Sequence, residues 1–207
     1  MANQRVLQYP DPTLYQTSSP VEKFDDSLQQ LVGDMVDTLE VQGGAGLAAP
    51  QIGIGQRVLI IRPDSFGVEN PDPHVGNDKY VVMVNPSLTL GEETETWKEA
   101  CLSVPSPPSL VTRSRKCQVT YHSPAGEEKS LDLTWPLSGA MQHEHDHLDG
   151  KLFIDRLSPV ARDIVIRKMK KRHRHARIAI QRKLRRERLE TMGPAGLRKK
   201  KKKRKKA

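Results

Sequence analysis

The chain has 207 residues, 36% of them hydrophobic and only 4% aromatic, a length that suits one domain with an appendage. Two cysteines, no apolar stretch near the N-terminus and no run of about 18 apolar residues argue against a disulfide scaffold, a secretory leader and a membrane span, so a soluble cytoplasmic protein is expected. The formal charge of +9 is unevenly placed: residues 161–207 carry 22 of the 34 Lys and Arg but 3 of the 25 Asp and Glu, which leaves an acidic body ahead of a basic tail.

Residues 26–40 hold Leu28, Leu31, Val32, Met35 and Leu39 at spacings of three and four, which predicts one apolar helix face. Asp25, Asp26 or Ser27 can cap its start, and Gly43, Gly44 and Gly46 end it in a flexible turn. Val58–Ile61 and Tyr80–Val84 read as strands, with a polar loop over 62–79 between them. Gln118–Tyr121 and Leu131–Thr134 alternate apolar and polar residues around a turn at Pro124-Ala125-Gly126. A second helix is expected from Pro136 to His147, with Gly150 placed to end it. A third starts at Ser158-Pro159, with Val160, Ile164, Val165 and Met169 as its apolar stripe, and breaks at Gly193-Pro194. The expected fold class is α+β, a mostly antiparallel sheet around a central helix, with a basic C-terminal helix outside.

That central helix carries His143-Glu144-His145-Asp146-His147, an H-E-x-x-H pattern. His143 and His147 are four residues apart, so both project from one face and can hold one metal ion. Glu144 stands beside them, where it can take a proton from a water at the metal. His145 lies about 200° around the helix from His143 and is expected at the surface. A catalytic metal needs a third protein ligand. Asp149 and Asp155 lie downstream and Cys101 upstream; Cys101 is equally readable as a ligand or as a small buried hydrophobe, the role expected of Cys117. Gly44-Ala45-Gly46-Leu47-Ala48-Ala49-Pro50-Gln51 offers close backbone approach and an amide donor at Gln51, although such runs also form ordinary turns.

Taken together, Gly44–Gln51, Glu99–Ser103 and Gln142–His147 resemble the three signature motifs of peptide deformylases, G-x-G-L-A-A-x-Q, E-G-C-L-S and Q-H-E-x-D-H. The likeness covers about residues 5–170. It implies that Cys101, His143 and His147 bind one divalent metal, Fe(II) in the cell, with Zn, Ni or Co as possible occupants. It implies that Glu144 is the general acid and base, that Gln51 and the backbone N–H of Leu102 stabilise the oxyanion, and that Gly46 lines the substrate. The implied reaction removes the formyl group from the N-terminal formyl-methionine of nascent polypeptides. Ala100 stands where the family usually has Gly, so a methyl group meets the substrate there. Ser106-Pro107-Pro108-Ser109 occupies a stretch that often carries a substrate-binding Arg. Arg113 is either an ion-pair partner of Glu99 or a solvated surface residue.

The tail completes the division: a catalytic domain over 1–157, a basic helix over 158–192 and a disordered Lys/Arg-rich segment over 193–207. The resemblance implies that the helix docks on the ribosome, with Arg167, Lys168, Lys170, Lys171, Arg172 and Arg174 meeting rRNA phosphates. A metalloprotease with a downstream ligand and a non-catalytic RNA-binding protein are the competing readings.

Overall fold

Asp25 starts the first helix. Its carboxylate accepts from the Ser27 amide at 3.0 Å, and α1 (Asp26–Gln42) runs until Gly43 turns left-handed at φ 70°. Leu28, Leu31, Val32, Met35 and Leu39 are all buried, as their spacing predicts. The computed structural model describes residues 4–72 and 79–191.

Five strands form one sheet in the order β1 (Gly46–Ala48), β2 (Val58–Ile61), β3 (Val81–Leu90), β6 (Lys116–His122), β7 (Glu128–Thr134), every pair antiparallel. β4 (Thr94–Cys101) and β5 (Val104–Ser114) make a separate two-stranded ribbon. The sheet is covered on both faces. Val58, Ile60, Val82 and Val84 point into the core beneath α1, while Leu59, Ile61, Val81 and Met83 point into a second core with Met141 and Leu148 of α2 (Leu137–Leu148). Double burial is the reason β2 and the first part of β3, Val81–Val84, read as unbroken apolar runs, whereas β6 and β7, with one buried face, alternate. The α+β class with a central helix bearing the H-E-x-x-H pattern is the observed one.

The β4–β5 ribbon lacked a forecast. Pro105, Pro107 and Pro108 lie within β5, and proline donates nothing to a ladder. A two-stranded ribbon tolerates them because each strand pairs on one side only. The predicted turn at Gly46 is instead a short strand, and the 62–79 loop contains a 3-10 turn at Pro63–Phe66, with 73–78 outside the described residues.

α3 (Pro159–Thr191) begins where expected, with the Ser158 hydroxyl accepting from the Ala161 amide at 3.3 Å. The chain divides into two compact units, Met1–Arg162 and Asp163–Ala207. In the second unit Lys168, Lys170, Lys171 and Arg174 are exposed. The expected break at Gly193-Pro194 and the Lys/Arg-rich segment over 193–207 lie outside the described residues. No described helix is long and apolar enough to cross a membrane.

Candidate active site

The site forms where β4 meets α2. The two-residue period of a strand puts Trp97 and Glu99 on one face of β4, and Cys101 follows past a shift in register. The four-residue spacing on α2 aligns His143 with His147. Facing each other, the two elements bring Cys101 Sγ to 3.3 Å from His147 Nε2 and Glu99 Oε2 to 2.7 Å from His143 Nδ1. The donor atoms of Cys101, His143 and His147 lie within 4.8 Å of one another, and no other such triad of His, Cys, Asp or Glu occurs among the described residues. A thiolate and two imidazoles suit a divalent ion with a fourth position open to water. Glu144 Oε2, buried beside them without a hydrogen-bond partner, is the kind of orphaned acceptor that such a water would satisfy.

The wall behind His143 is a charge network. Glu99 accepts from Arg113 Nε at 2.7 Å and Nη2 at 3.0 Å, and from Trp97 Nε1 at 2.8 Å. Asp146 accepts from Arg113 and Arg156. Burial pushes the Glu99 carboxyl up, but His143 and Arg113 outweigh it and hold it at about 2. Glu99 is therefore an anion that fixes the orientation of a candidate ligand ring. Burial also raises the Cys101 thiol; the neighbouring His147 and His143 overcome it and bring the thiol down to about 5, which favours the thiolate that binds metals. At Glu144 burial prevails and lifts the carboxyl to about 7.

Opposite α2, the buried Gln51 amide is oriented from behind. Its Oε1 accepts from the Ala48 amide at 2.8 Å, which turns Nε2 toward Ser103 Oγ at 3.2 Å and Cys101 Sγ at 3.5 Å. Gly46, on β1, leaves room for Glu144: a Cβ there would sit 2.5 Å from Glu144 Oε1. A cleft of about 390 Å³ opens between these groups, lined by Gly46, Gln51, Trp97, Ala100, Leu102 and Glu144, among others. Such a volume suits a small ligand or the end of a peptide.

A profile of the polypeptide deformylase family matches residues 3–163. The chain belongs to this family. It is 40% identical over 173 residues to a peptide deformylase of Bartonella tribocorum, covering 83% of this chain and 94% of that one. With a peptide deformylase of Acidobacterium capsulatum it shares 41% identity over 169 residues, 82% of this chain and 95% of the other. Among solved structures, a peptide deformylase from Legionella pneumophila superposes with a TM-score of 0.74 at 36% identity, over 84% of this chain and 98% of that one. One from Ehrlichia chaffeensis in complex with actinonin gives 0.75 at 34% identity, over 84% and 99%. As a deformylase the chain is an enzyme.

The structure brings Gln51, Cys101, Leu102, His143, Glu144 and Gly46 together around one cleft, and places His147 against Cys101. Asp149 and Asp155, the downstream ligands a metalloprotease would need, are engaged elsewhere: Asp149 pairs with Arg57 at 3.0 Å, and Asp155 accepts from the Leu152 amide at 2.9 Å. Arg113 is a buried ion-pair partner of Glu99 and not a solvated residue. Cys117 is buried within β6, as expected. His145 does face away from the cleft but is not a free surface residue; its Nε2 lies 3.1 Å from Arg57 Nη2 and its side chain is 17% exposed. Ala100, exposed at the rim of the cleft, lies outside the left-handed region, since Asn85 is the only described non-glycine residue there. Its backbone does not demand glycine. Ser103, Trp97, Asp146 and Arg156 were given no role from sequence. The first lies within the Glu99–Ser103 motif, but nothing local shows that strand β4 will face α2.

Proposed function

We propose that this deformylase hydrolyses the formyl group from the N-terminal formyl-methionine of nascent polypeptides, with Cys101, His143 and His147 holding a divalent metal. The observation that carries the reading is the Cys101–His143–His147 triad beside a buried Glu144 whose Oε2 lacks a partner, at the edge of a cleft that holds Gln51. When bound, the metal supplies Lewis-acid polarisation and lowers the pKa of a water. Fe(II) is the proposed native ion, and the same donor set accepts Zn, Ni or Co.

The chain's own residues do the rest. Glu144, raised to about 7 by burial, is poised near neutrality to take the proton of the attacking water. As oxygen adds to the formyl carbon, Gln51 Nε2 and the Leu102 N–H donate to the developing oxyanion. Glu144 then returns the proton to the departing nitrogen, the C–N bond breaks, and formate leaves a free amine. Gly46 and Ala100 border the bound peptide. The polypeptide reaches the cleft as it emerges from cytoplasmic ribosomes, and the exposed cations of α3 supply the attraction to rRNA.

The deciding assay is formate release from formyl-Met-Ala-Ser by anaerobically purified enzyme, beside Glu144→Ala. Rapid release by the parent and a loss of roughly 10²- to 10⁴-fold in the variant is the expected result. An inert, metal-loaded parent overturns the reading, as does undiminished turnover by Glu144→Ala.

A further inference from the structure

The ionisable side chains that line the cleft differ in exposure. Glu99, His143 and Glu144 are buried, and Glu99 is held by Arg113 at 2.7 Å. Lys98 lines the same cleft and is exposed. The two-residue period of β4 explains the split. Its inward residues, Trp97, Glu99 and Cys101, meet Gly139, His143 and His147 of α2. Its outward residues, Thr96, Lys98 and Ala100, are all exposed. Across the ribbon the same face carries Thr112 opposite Thr96 and Leu110 opposite Lys98. The two threonine hydroxyls bond to each other at 2.8 Å, and Glu95, the nearest acid before Lys98 on β4, is engaged by Arg115 at 3.3 Å. Lys98 is therefore a single cation on an otherwise uncharged face, and it makes no ion pair with any described residue.

Among the described residues β4 bonds to β5 alone. Its other edge borders the cleft, with Gly43–Gly46 on the far side. An extended peptide is the ligand such an edge takes, through main-chain bonds that leave successive side chains on opposite faces. The candidate metal ligands stand at the Cys101 end of β4. A chain held there by its N-terminus leaves along Ala100, Glu99 and Lys98, against the direction of the strand. A first side chain directed into the cleft then sends the second to the outward face, beside Ala100 and Lys98. Ala100 is small and uncharged and leaves the approach to Lys98 open.

We propose that Lys98 is a specificity-determining residue for the second position of the formylated peptide: its ammonium pairs with an acidic side chain there and repels a basic one. This rests on the deformylase reading given above. The contact lies outside the reacting groups and is the same before and during reaction, so it belongs in KM and not in kcat.

The test compares formyl-Met-Glu-Ser, formyl-Met-Gln-Ser and formyl-Met-Lys-Ser, all amidated at the C-terminus so that no terminal carboxylate competes for the cation. With the full-length, metal-loaded enzyme at low salt, kcat/KM is expected to fall in that order by about two- to fivefold at each step, the scale of an exposed ion pair, with the differences carried by KM. Lys98→Gln is expected to bring the three values together, and Lys98→Glu to invert their order. Salt at about 0.5 M is expected to compress the differences in the parent. Both substitutions fall on an exposed, unpaired side chain, so the melting temperatures should match the parent's. An unchanged order in Lys98→Glu overturns the proposal, as does a preference that appears with formyl-Met-Ser-Glu amide in place of formyl-Met-Glu-Ser amide. If the parent releases no formate from any peptide, the reaction assigned to the site fails. Calorimetric titration of the Glu and Lys peptides into parent and Lys98→Glu then reads the pairing by itself: an inverted order of affinity supports it, and an unchanged order overturns it.

Discussion

Two adjacent side chains of α2, His143 and Glu144, owe their different behaviour to what each one touches. His143 has a carboxylate at 2.7 Å, and Glu144 has none at Oε2. The first is thereby oriented, and the second is left with burial as its dominant influence and is lifted to about 7. Gly46 guards this difference, because it is the residue that leaves Glu144 its place. A methyl group 2.5 Å from Glu144 Oε1, and 2.8 Å from its Cδ, must move the carboxyl. Gly46→Ala is therefore expected to lower kcat by about a hundredfold, the scale of an ångström-sized misplacement of a catalytic group, while thermal melting stays close to that of the parent. Steady-state kinetics with a melting curve checks this; a large fall in Tm would show that Gly46 serves the fold.

Between elements, the β4–β5 ribbon is tied to α2 by neutral hydrogen bonds of Ser114 with Ser138 and Gln142 and by an ionic network. Glu99 on β4, Arg113 on β5 and Asp146 on α2 are buried together, and Arg156 closes the outer side of Asp146. Burying charges is costly, so this network holds only while each member keeps its partners. The acid behaviour follows from Glu99. Its folded pKa of about 2 lies below the unfolded value of about 4.3. A depressed carboxyl contributes stability that is fully present above the unfolded value and is lost as pH falls through the folded one. Glu99→Gln removes that contribution. In chelated protein the Tm of the parent should fall more steeply between pH 4.3 and about 2 than the Tm of Glu99→Gln, and parallel curves would refute the assignment. At neutral pH the substitution is expected to cost about 3 kcal/mol, the lower end for breaking a buried pair, because Arg113 retains Asp146.

For the whole molecule, charge is partitioned by segment: an acidic body carries the cleft, and a basic helix follows it. A helix in which exposed cations far outnumber acidic residues attracts polyanions with an affinity set by counterion release. Replacing Lys168, Lys170, Lys171 and Arg174 by Gln should reduce the slope of log affinity for ribosomes against log salt by roughly 3, at 0.7 to 0.9 per phosphate contact. Formate release from a short peptide should stay within twofold, since these residues are remote in sequence from the cleft-lining set. Sedimentation with ribosomes across a salt series measures the slope, and an unchanged slope removes α3 from the interaction.

What the sequence alone determined is what local spacing encodes. The intervals among Leu28, Leu31, Val32, Met35 and Leu39 specify a buried helix face, His143 and His147 share a face because four residues are about one turn, and the charge division needs no fold at all. The three motifs, read as a family resemblance, also named Cys101 and Gln51 in advance. Only the tertiary structure decided what those residues touch. Glu99 and His143 are 44 positions apart, and no local period states that β4 will lie against α2 in that register. The same holds for Arg113, left open between ion pair and solvated surface, and for Trp97, unremarkable in Thr-Glu-Thr-Trp-Lys-Glu until Gly139 opposite it provides the space. The β4–β5 ribbon was hidden for a related reason: its prolines argue locally against a strand, and only a ribbon paired on one side admits them. Propensity and periodicity act over a few residues, whereas the site is made by two elements distant in the chain whose facing side chains happen to complement each other in size and charge.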